Sequence, residues 1–164
     1  MVPSYEDILS LPGIGSYTAG AISSIAFGIK RPAVDGNVLR VLSRLRADAA
    51  NIMQQSVRNG IEEELLAIMP EDRPGDFNQA LMELGAMVCI PNGEPRCGQC
   101  PWENLCLAHR EGRETEFPVK SAKKPRTIEE KTVLIILDEN RAALCKRPPK
   151  GLLAGMYEFP SISG

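Results

Sequence analysis

Residues 11–22 read LPGIGSYTAGAI, in which two glycines flank an isoleucine ahead of a run of small residues. Glycine permits positive φ and close backbone approach, so the pattern predicts a tight turn. We expect a short helix over residues 5–11, capped by Ser4, before the turn, and a second helix over residues 16–27, ending near Gly28. Backbone N–H groups at the start of the second helix would suit a phosphate. A plain helix–helix turn is the other interpretation, and this stretch alone does not separate the two.

Apolar spacing predicts three further helices downstream. The first follows Asp35-Gly36 and has one apolar face, formed by Val38, Val41, Leu42 and Leu45. The second covers about residues 57–69, and the third starts after Asp76 and delivers Cys89 at its end. Asp35 lies where a carboxylate can cap free N–H groups. It could serve that structural role alone, or its charge could stabilise a cationic transition state, as in glycoside cleavage.

Composition limits the function classes. The 164 residues carry 19 Lys and Arg against 21 Asp and Glu, for a net charge of -2. This balance argues against non-specific nucleic-acid binding through a broad basic field. It leaves open a local phosphate site made of backbone N–H groups. Without a long apolar run or a signal-peptide pattern, the chain is expected to be cytoplasmic, and nucleoid-associated if bacterial, with no membrane partner.

Four of the five cysteines follow the spacing C-x7-C-x2-C-x5-C, as Cys89, Cys97, Cys100 and Cys106. In a cytosolic protein such a group indicates metal ligation rather than disulfides. Structural zinc sites usually show two close cysteine pairs, and here only Cys97 and Cys100 form one. The pattern therefore favours a [4Fe–4S] cluster, with zinc as the alternative. Trp102 is expected to pack over this loop, and His109 to be a solvated surface residue.

The composition changes after Gly112. Charged residues, Pro, Ser and Thr replace apolar periodicity over residues 112–130, which predicts a linker. Its basic group is expected to be solvated, with contact to a phosphate backbone as the alternative: Lys120, Lys123, Lys124 and Arg126. Strands are expected over residues 132–137, 142–146 and 157–159, with a turn at 138–140. Cys145 is expected to be a small core residue. So few strands cannot bury a core of their own, which indicates the beginning of a domain.

The order of the motifs is specific. LPGIG is followed by Thr18-Ala19, by VDGNVLRV at 34–41, by FNQALMELGA at 77–86, and by the four cysteines. This order resembles the helix-hairpin-helix DNA glycosylases that carry an iron–sulfur cluster, and within them the adenine DNA glycosylase (MutY) family. The resemblance implies a mainly α fold. Residues 1–34 would be part of a six-helix barrel, 35–111 a helical iron–sulfur domain, 112–130 a linker, and 131–164 the first strands of a Nudix-like α/β domain.

The resemblance also implies a role for each motif. The family excises adenine opposite 8-oxoguanine or guanine in double-stranded DNA, by hydrolysis of the N-glycosidic bond. Asp35 would stabilise the oxocarbenium-like sugar, and the four cysteines would hold the cluster. The DNA backbone would be gripped by Leu11, Gly13, Ile14, Gly15, Tyr17 and Thr18. Endonuclease III-type relatives place a Schiff-base lysine where Tyr17 stands, so a monofunctional glycosylase is implied.

Three departures from the family pattern qualify this expectation. Seven residues instead of the usual six separate Cys89 from Cys97. The catalytic glutamate that protonates adenine would lie upstream of Met1, and the Nudix-like domain would be cut short. We therefore expect this chain alone to release no adenine, and exposed apolar faces to favour self-association. The alternatives are a non-catalytic DNA-binding or iron–sulfur redox module and, more narrowly, an endonuclease III-like lyase.

Overall fold

The computed structural model describes residues 2–122, 125–126 and 128–163, so Lys123 and Lys124 of the basic group lie outside the described residues. The chain divides into two compact units, residues 1–122 and 123–164. The first is helical and the second consists of short strands. No helix in the described part has the length and apolar character needed to cross a membrane.

The first two helices follow the local sequence signals. Helix α1, Tyr5–Leu9, begins with a capping box, in which Ser4 Oγ accepts the Asp7 N–H and the Asp7 carboxylate accepts the Ser4 N–H. It ends two residues earlier than predicted. Helix α2, Ser16–Phe27, has the predicted bounds and is closed by Gly28 at φ 66°.

Three longer helices follow α2. They are α3, Gly36–Arg46; α4, Gln55–Ile68; and α5, Pro74–Glu83. Helix α5 begins at its proline rather than after Asp76, because the fixed φ of proline suits the first turn of a helix. It continues as a π-helical segment, Leu84–Val88, that ends at Cys89. The core lies between these helices and includes Val38, Leu39, Leu42, Ile61, Leu65 and Leu81.

Close backbone approach brings α2 and α5 against each other and against the segment before α3. A Cβ on Gly20 would lie 2.2 Å from the Pro32 carbonyl oxygen. Asn78 on α5 is buried and bonds to three groups. Its Nδ2 donates to Ser24 Oγ and to the Arg31 carbonyl, and its Oδ1 accepts the Ala33 N–H. Asn78 thereby fixes the segment that leads into α3.

The cysteine-bearing segment forms short turns of helix. Two 3₁₀ turns, Cys97–Gln99 and Glu103–Leu105, precede α6, Leu107–Arg110, and a last 3₁₀ turn, Glu114–Glu116. The residues that follow are packed rather than free. Phe117 is 3 % exposed, and the Val119 carbonyl accepts the Ile52 N–H. The linker expected from residue 112 is therefore shorter, because a single buried aromatic ring anchors the first part of this charged segment.

The described residues of the second unit form three antiparallel pairs of strands. Strand β1, Lys131–Val133, pairs with β6, Ser161–Ser163; β2, Leu137–Asp138, pairs with β3, Arg141–Ala142; and β4, Cys145–Lys146, pairs with β5, Tyr157–Glu158. The turn expected at 138–140 joins β2 to β3. The strands are shorter than predicted, and β6 was not predicted. The expectation that Cys145 is a core residue is wrong. The residue is exposed, because among the described residues of this unit each strand pairs with one other strand and few side chains are buried.

Candidate functional site

The turn between α1 and α2 presents open backbone donors. It is closed by the Ile14 N–H, which donates to the Leu11 carbonyl at 3.1 Å, and Gly13 adopts φ 82°. Gly15 is the N-cap of α2 and has no side chain to accept the first N–H groups of the helix. These groups precede the first intrahelical bond, which the Ala19 N–H makes to Gly15. The resulting concentration of partial positive charge suits an anion.

The surface around this turn is accessible. Leu11 is 55 % exposed and Tyr17 is 40 % exposed, and a Cβ on Gly13 or Gly15 would meet no atom within 4 Å. The Tyr17 hydroxyl lies 4.0 Å from the sulfur of Met82, and Thr18 follows it in the first turn of α2. The turn therefore offers its backbone to an approaching ligand without obstruction from its own side chains.

Asp35 is the N-cap of α3 and its carboxylate is fixed by three hydrogen bonds. Oδ1 accepts the N–H groups of Asn37 and Val38, each at 2.8 Å. Oδ2 accepts from the Asn37 side-chain amide, also at 2.8 Å. The carboxylate is partly buried and sits at the positive end of the α3 dipole. These three hydrogen bonds hold the carboxylate in one orientation.

Two buried arginines on α3 connect Asp35 to the cysteine segment, and the sequence interpretation missed both. Arg40 donates to Asn37 Oδ1 at 2.9 Å, to the Gly85 carbonyl at 2.7 Å and to the Cys89 carbonyl at 2.8 Å. One turn later, Arg44 donates to Cys89 Sγ at 3.3 Å and to the Ile90 carbonyl at 2.9 Å. The available signal was two arginines four residues apart in an otherwise apolar stretch of helix.

The four cysteines line a single cavity. Its apolar wall is formed by Val41, Leu45, Leu84, Val88 and Trp102, so Trp102 does pack against the cysteine loop as expected. Burial raises the pKa of Cys97 to about 11, with further contributions from the Glu114 carboxylate and the other three cysteines. Burial likewise raises the pKa of Cys100. Thiolates crowded in this way are stabilised by a cationic partner, as metal binding provides.

The cysteine sulfurs are not clustered as ligands of a single ion would be. With Zn–S bonds of about 2.3 Å, tetrahedral geometry places two sulfurs about 3.8 Å apart. Within the described chain, the donor atoms that lie within 4.8 Å of one another are those of Cys97, His109 and Glu114, and three cysteine sulfurs do not form such a group. The cavity accommodates the four cysteines at a wider spacing.

The expectation that His109 is a solvated surface residue is wrong. Its Nδ1 lies 2.5 Å from Glu114 Oε1 and its Nε2 lies 3.5 Å from Glu103 Oε1. The hydrogen bond to Glu114 raises the pKa of His109, and the Glu103 carboxylate adds to the effect. The same bond lowers the pKa of Glu114. His109 therefore lies in the wall of the cysteine cavity. The sequence did not reveal this position, because His109 stands among polar residues and its partner Glu114 is not marked by any motif.

Comparisons with known proteins agree with these features. Residues 1–25 match the model of the helix-hairpin-helix motif. The chain is 41 % identical over 171 residues to the adenine DNA glycosylase of Arabidopsis thaliana, an alignment that covers 96 % of this chain and 27 % of that protein. It is 37 % identical over 199 residues to the human adenine DNA glycosylase, covering 93 % of this chain and 36 % of that protein. The chain thus spans well under half the length of both relatives.

Solved structures show the same fold. A thermostable thymine-DNA glycosylase superposes with a TM-score of 0.58 at 32 % identity, over 67 % of this chain and 50 % of that one. A non-covalent endonuclease III–DNA complex superposes with a TM-score of 0.55 at 28 % identity, over 68 % of this chain and 50 % of that one. The chain is thus similar in sequence to adenine DNA glycosylases, and its fold is similar to those of a thymine-DNA glycosylase and endonuclease III.

Proposed function

We propose that this chain is the hairpin- and cysteine-bearing part of an adenine DNA glycosylase, a base-excision repair enzyme that removes adenine paired with 8-oxoguanine or guanine. The observation that carries the proposal is the Asp35 carboxylate, held in one orientation by Asn37 and Val38 at the start of α3. Glycoside hydrolysis passes through a cationic sugar, which a fixed carboxylate stabilises. The named relatives and the DNA-bound structural neighbour support the same substrate class.

The turn at residues 11–15 is proposed to bind the phosphate backbone of the duplex. The open N–H groups at the start of α2 supply the donors, and the exposed Leu11 and Tyr17 side chains flank them. Such contacts position a protein on DNA without reading its sequence. They need no excess of basic residues, which agrees with the net charge of -2. The substrate adenine would leave the stack, since an enzyme that acts on a base must extrude it from the duplex.

At the reacting sugar, Asp35 is proposed to offset the positive charge that develops as the bond to adenine breaks. The departing base takes a proton from a general acid, and water adds to the sugar to leave an abasic site. Asp35 acts through the charge of its carboxylate and forms no covalent bond to the sugar in this proposal. Asn37 holds it through Oδ2, and the α3 N–H groups hold it through Oδ1. Because the carboxylate is already held in place, it need not reorient as charge develops on the sugar, and this is how a fixed charge lowers the barrier.

Tyr17 supports a monofunctional enzyme over the lyase alternative. A lyase forms a Schiff base between a lysine amine and the sugar, and a phenol cannot do so. No adduct is therefore expected when the chain is incubated with abasic duplex DNA and treated with borohydride. A trapped protein–DNA adduct that survives denaturation would support the endonuclease III-like lyase instead.

Cys89, Cys97, Cys100 and Cys106 are proposed to hold a [4Fe–4S] cluster. The all-thiol donor set and the spacing of the sulfurs, wider than a single ion requires, fit that group better than zinc. The cluster, when bound, would supply a cationic core that fixes the segment after α5. Arg44 holds two of these cysteines in place. Its guanidinium donates to Cys89 Sγ, and the Arg44 backbone carbonyl accepts from Cys106 Sγ at 3.4 Å. Residues 131–163 are proposed to begin a Nudix-like domain.

DNA binding by the full chain tests the proposed role of the turn. Gly15→Asp adds an N-capping side chain, which favours α2, but places a negative charge where a phosphate would bind. Like charges about 4 Å apart repel by about 4 kcal/mol at a surface dielectric near 20, so the affinity should fall at least about tenfold even after screening by salt. Fluorescence anisotropy with a duplex containing A opposite 8-oxoguanine measures the change.

A matched control carries the same added charge elsewhere. Gln54 is the N-cap of α4 and also makes no side-chain capping bond, so Gln54→Asp reproduces the substitution at a helix outside the proposed interface. Its affinity for the duplex should equal that of the native chain. Equal affinities for Gly15→Asp and Gln54→Asp would contradict the proposed binding mode.

A further inference from the structure

Three different donor atoms converge at one side of the cysteine cavity. The Cys97 sulfur, a His109 ring nitrogen and a Glu114 carboxylate oxygen all lie within 4.8 Å of one another. Glu114 Oε1 is 2.5 Å from His109 Nδ1 and 3.8 Å from Cys97 Sγ. The side chains are mostly covered, with 34 % of His109 and 19 % of Glu114 exposed. Sulfur, imidazole nitrogen and carboxylate oxygen are the three ligand types that bind zinc in proteins.

A fourth residue orients the imidazole for such a role. His109 Nε2 lies 3.5 Å from Glu103 Oε1, while Nδ1 lies 2.5 Å from Glu114 Oε1. Metal-binding histidines usually donate the N–H of the second ring nitrogen to a carboxylate, which fixes the tautomer and the ring. Glu103 stands in that relation to His109. The ring is thus held between two carboxylates, and the Cys97 sulfur lies 3.8 Å from the same Glu114 oxygen that Nδ1 contacts.

We infer that Cys97, His109 and Glu114 form a mononuclear site for a zinc-like divalent cation, distinct from the four-cysteine centre although it shares Cys97 with it. Three protein ligands and one water complete a tetrahedron. Binding replaces the hydrogen bond between His109 and Glu114, and the thiol proton of Cys97 passes to solvent together with any proton carried by that pair. Both centres would need the Cys97 thiolate as a ligand, so occupation by the single ion and by an iron–sulfur cluster would exclude each other.

Cobalt titration of the full chain tests the inference. The chain is stripped of metal by a chelator in the presence of a thiol-free reductant, without oxygen, and Co²⁺ is added as an optically active substitute for Zn²⁺. We expect one Co²⁺ per chain, tetrahedral visible absorption, and a sulfur-to-cobalt charge-transfer intensity of a single thiolate. His109→Gln and Glu114→Gln should each weaken Co²⁺ binding at least tenfold, and Glu103→Gln about 10- to 100-fold, as typical for an outer carboxylate.

Two controls separate this site from the four-cysteine centre. Glu116→Gln removes a carboxylate of the same 3₁₀ turn that pairs with Arg113, and should leave Co²⁺ affinity unchanged. Cys100→Ser should also leave it unchanged, whereas Cys97→Ser should abolish binding. Far-ultraviolet circular dichroism of each metal-free variant confirms that it is folded. Charge-transfer intensity from more than one thiolate, loss of affinity in Cys100→Ser, or native affinity in His109→Gln would overturn the inference.

Mutual exclusion gives a second measurement. Chain preloaded with one equivalent of Zn²⁺ should take up less iron and sulfide on anaerobic reconstitution than metal-free chain, and His109→Gln should lose this inhibition. Equal inhibition in native chain and in His109→Gln would also overturn the inference. Neither measurement involves DNA, so failure of this site and failure of the proposed glycosylase function are distinguishable.

Discussion

Asn78→Ala tests how the segment before α3 is held. The Asn78 side chain is 1 % exposed and bonds to Ser24 Oγ at 2.7 Å, to the Arg31 carbonyl at 2.9 Å and to the Ala33 N–H at 3.0 Å. Each bond contributes about 1 kcal/mol net, and the Ala33 N–H would lose its side-chain partner in a buried position. The free energy of unfolding should therefore fall by about 3–5 kcal/mol.

Urea denaturation followed by far-ultraviolet circular dichroism measures this loss in the helical unit. The midpoint should shift to lower urea, and the slope should stay unchanged because the surface exposed on unfolding is similar. Asn59→Ala is the matched control: Asn59 is exposed on α4 and accepts one bond, from Gln55, so its removal should cost no more than about 0.5 kcal/mol. Equal losses in the two variants would refute the account of how Asn78 holds the segment.

Two further predictions concern local structure. Gly20→Ala should destabilise the chain by about 1–3 kcal/mol, because the added Cβ would lie 2.2 Å from the Pro32 carbonyl oxygen. Gly60→Ala has open space around its Cβ and should stabilise α4 by up to about 1 kcal/mol. Thermal unfolding of both variants distinguishes the effect of a close backbone approach from a general effect of replacing glycine. Hydrogen bonds from Ser4 lower the pKa of Asp7, so their stabilisation is present above the unfolded value of about 3.9 and is lost as the pH falls through the folded value. The difference in melting temperature between native chain and Ser4→Ala should thus narrow at acid pH, where only the bond from the Asp7 N–H to Ser4 Oγ still separates them. A constant difference from neutral to acid pH would contradict that coupling.

The sequence predicts the parts of this fold that depend on neighbouring residues. Ser4, Gly28 and Asp35 mark helix ends through bonds to residues at most five positions away, so their roles are readable from local pattern. The cysteine spacing likewise indicates a metal centre, because all four residues fall within one short segment of the chain. These signals fix most helix boundaries and the order of the candidate site residues.

Features that depend on distant partners were not predictable. Arg40 and Arg44 meet groups at least 45 positions away as well as nearer ones, and nothing in the local sequence identifies those carbonyls and the Cys89 thiol. Phe117 is buried although it lies in a polar segment, and Arg44 donates to its carbonyl and to that of Glu114. A single strongly packed residue in a polar segment leaves no periodicity to detect.

Adenine release tests the central claim most directly. In the experiment, residues 2–163 of this chain replace the matching segment of the Arabidopsis adenine DNA glycosylase, with which the chain is 41 % identical. Single-turnover assays follow release from a duplex with A opposite 8-oxoguanine. The chimera should release adenine, and Asp35→Asn within it should slow release by about 10²–10³-fold. Asp48→Asn should not slow release; it alters a carboxylate that accepts the Ala50 N–H beyond the other end of α3. An Asp35→Asn chimera as fast as its parent would contradict the assignment of Asp35 to the reaction.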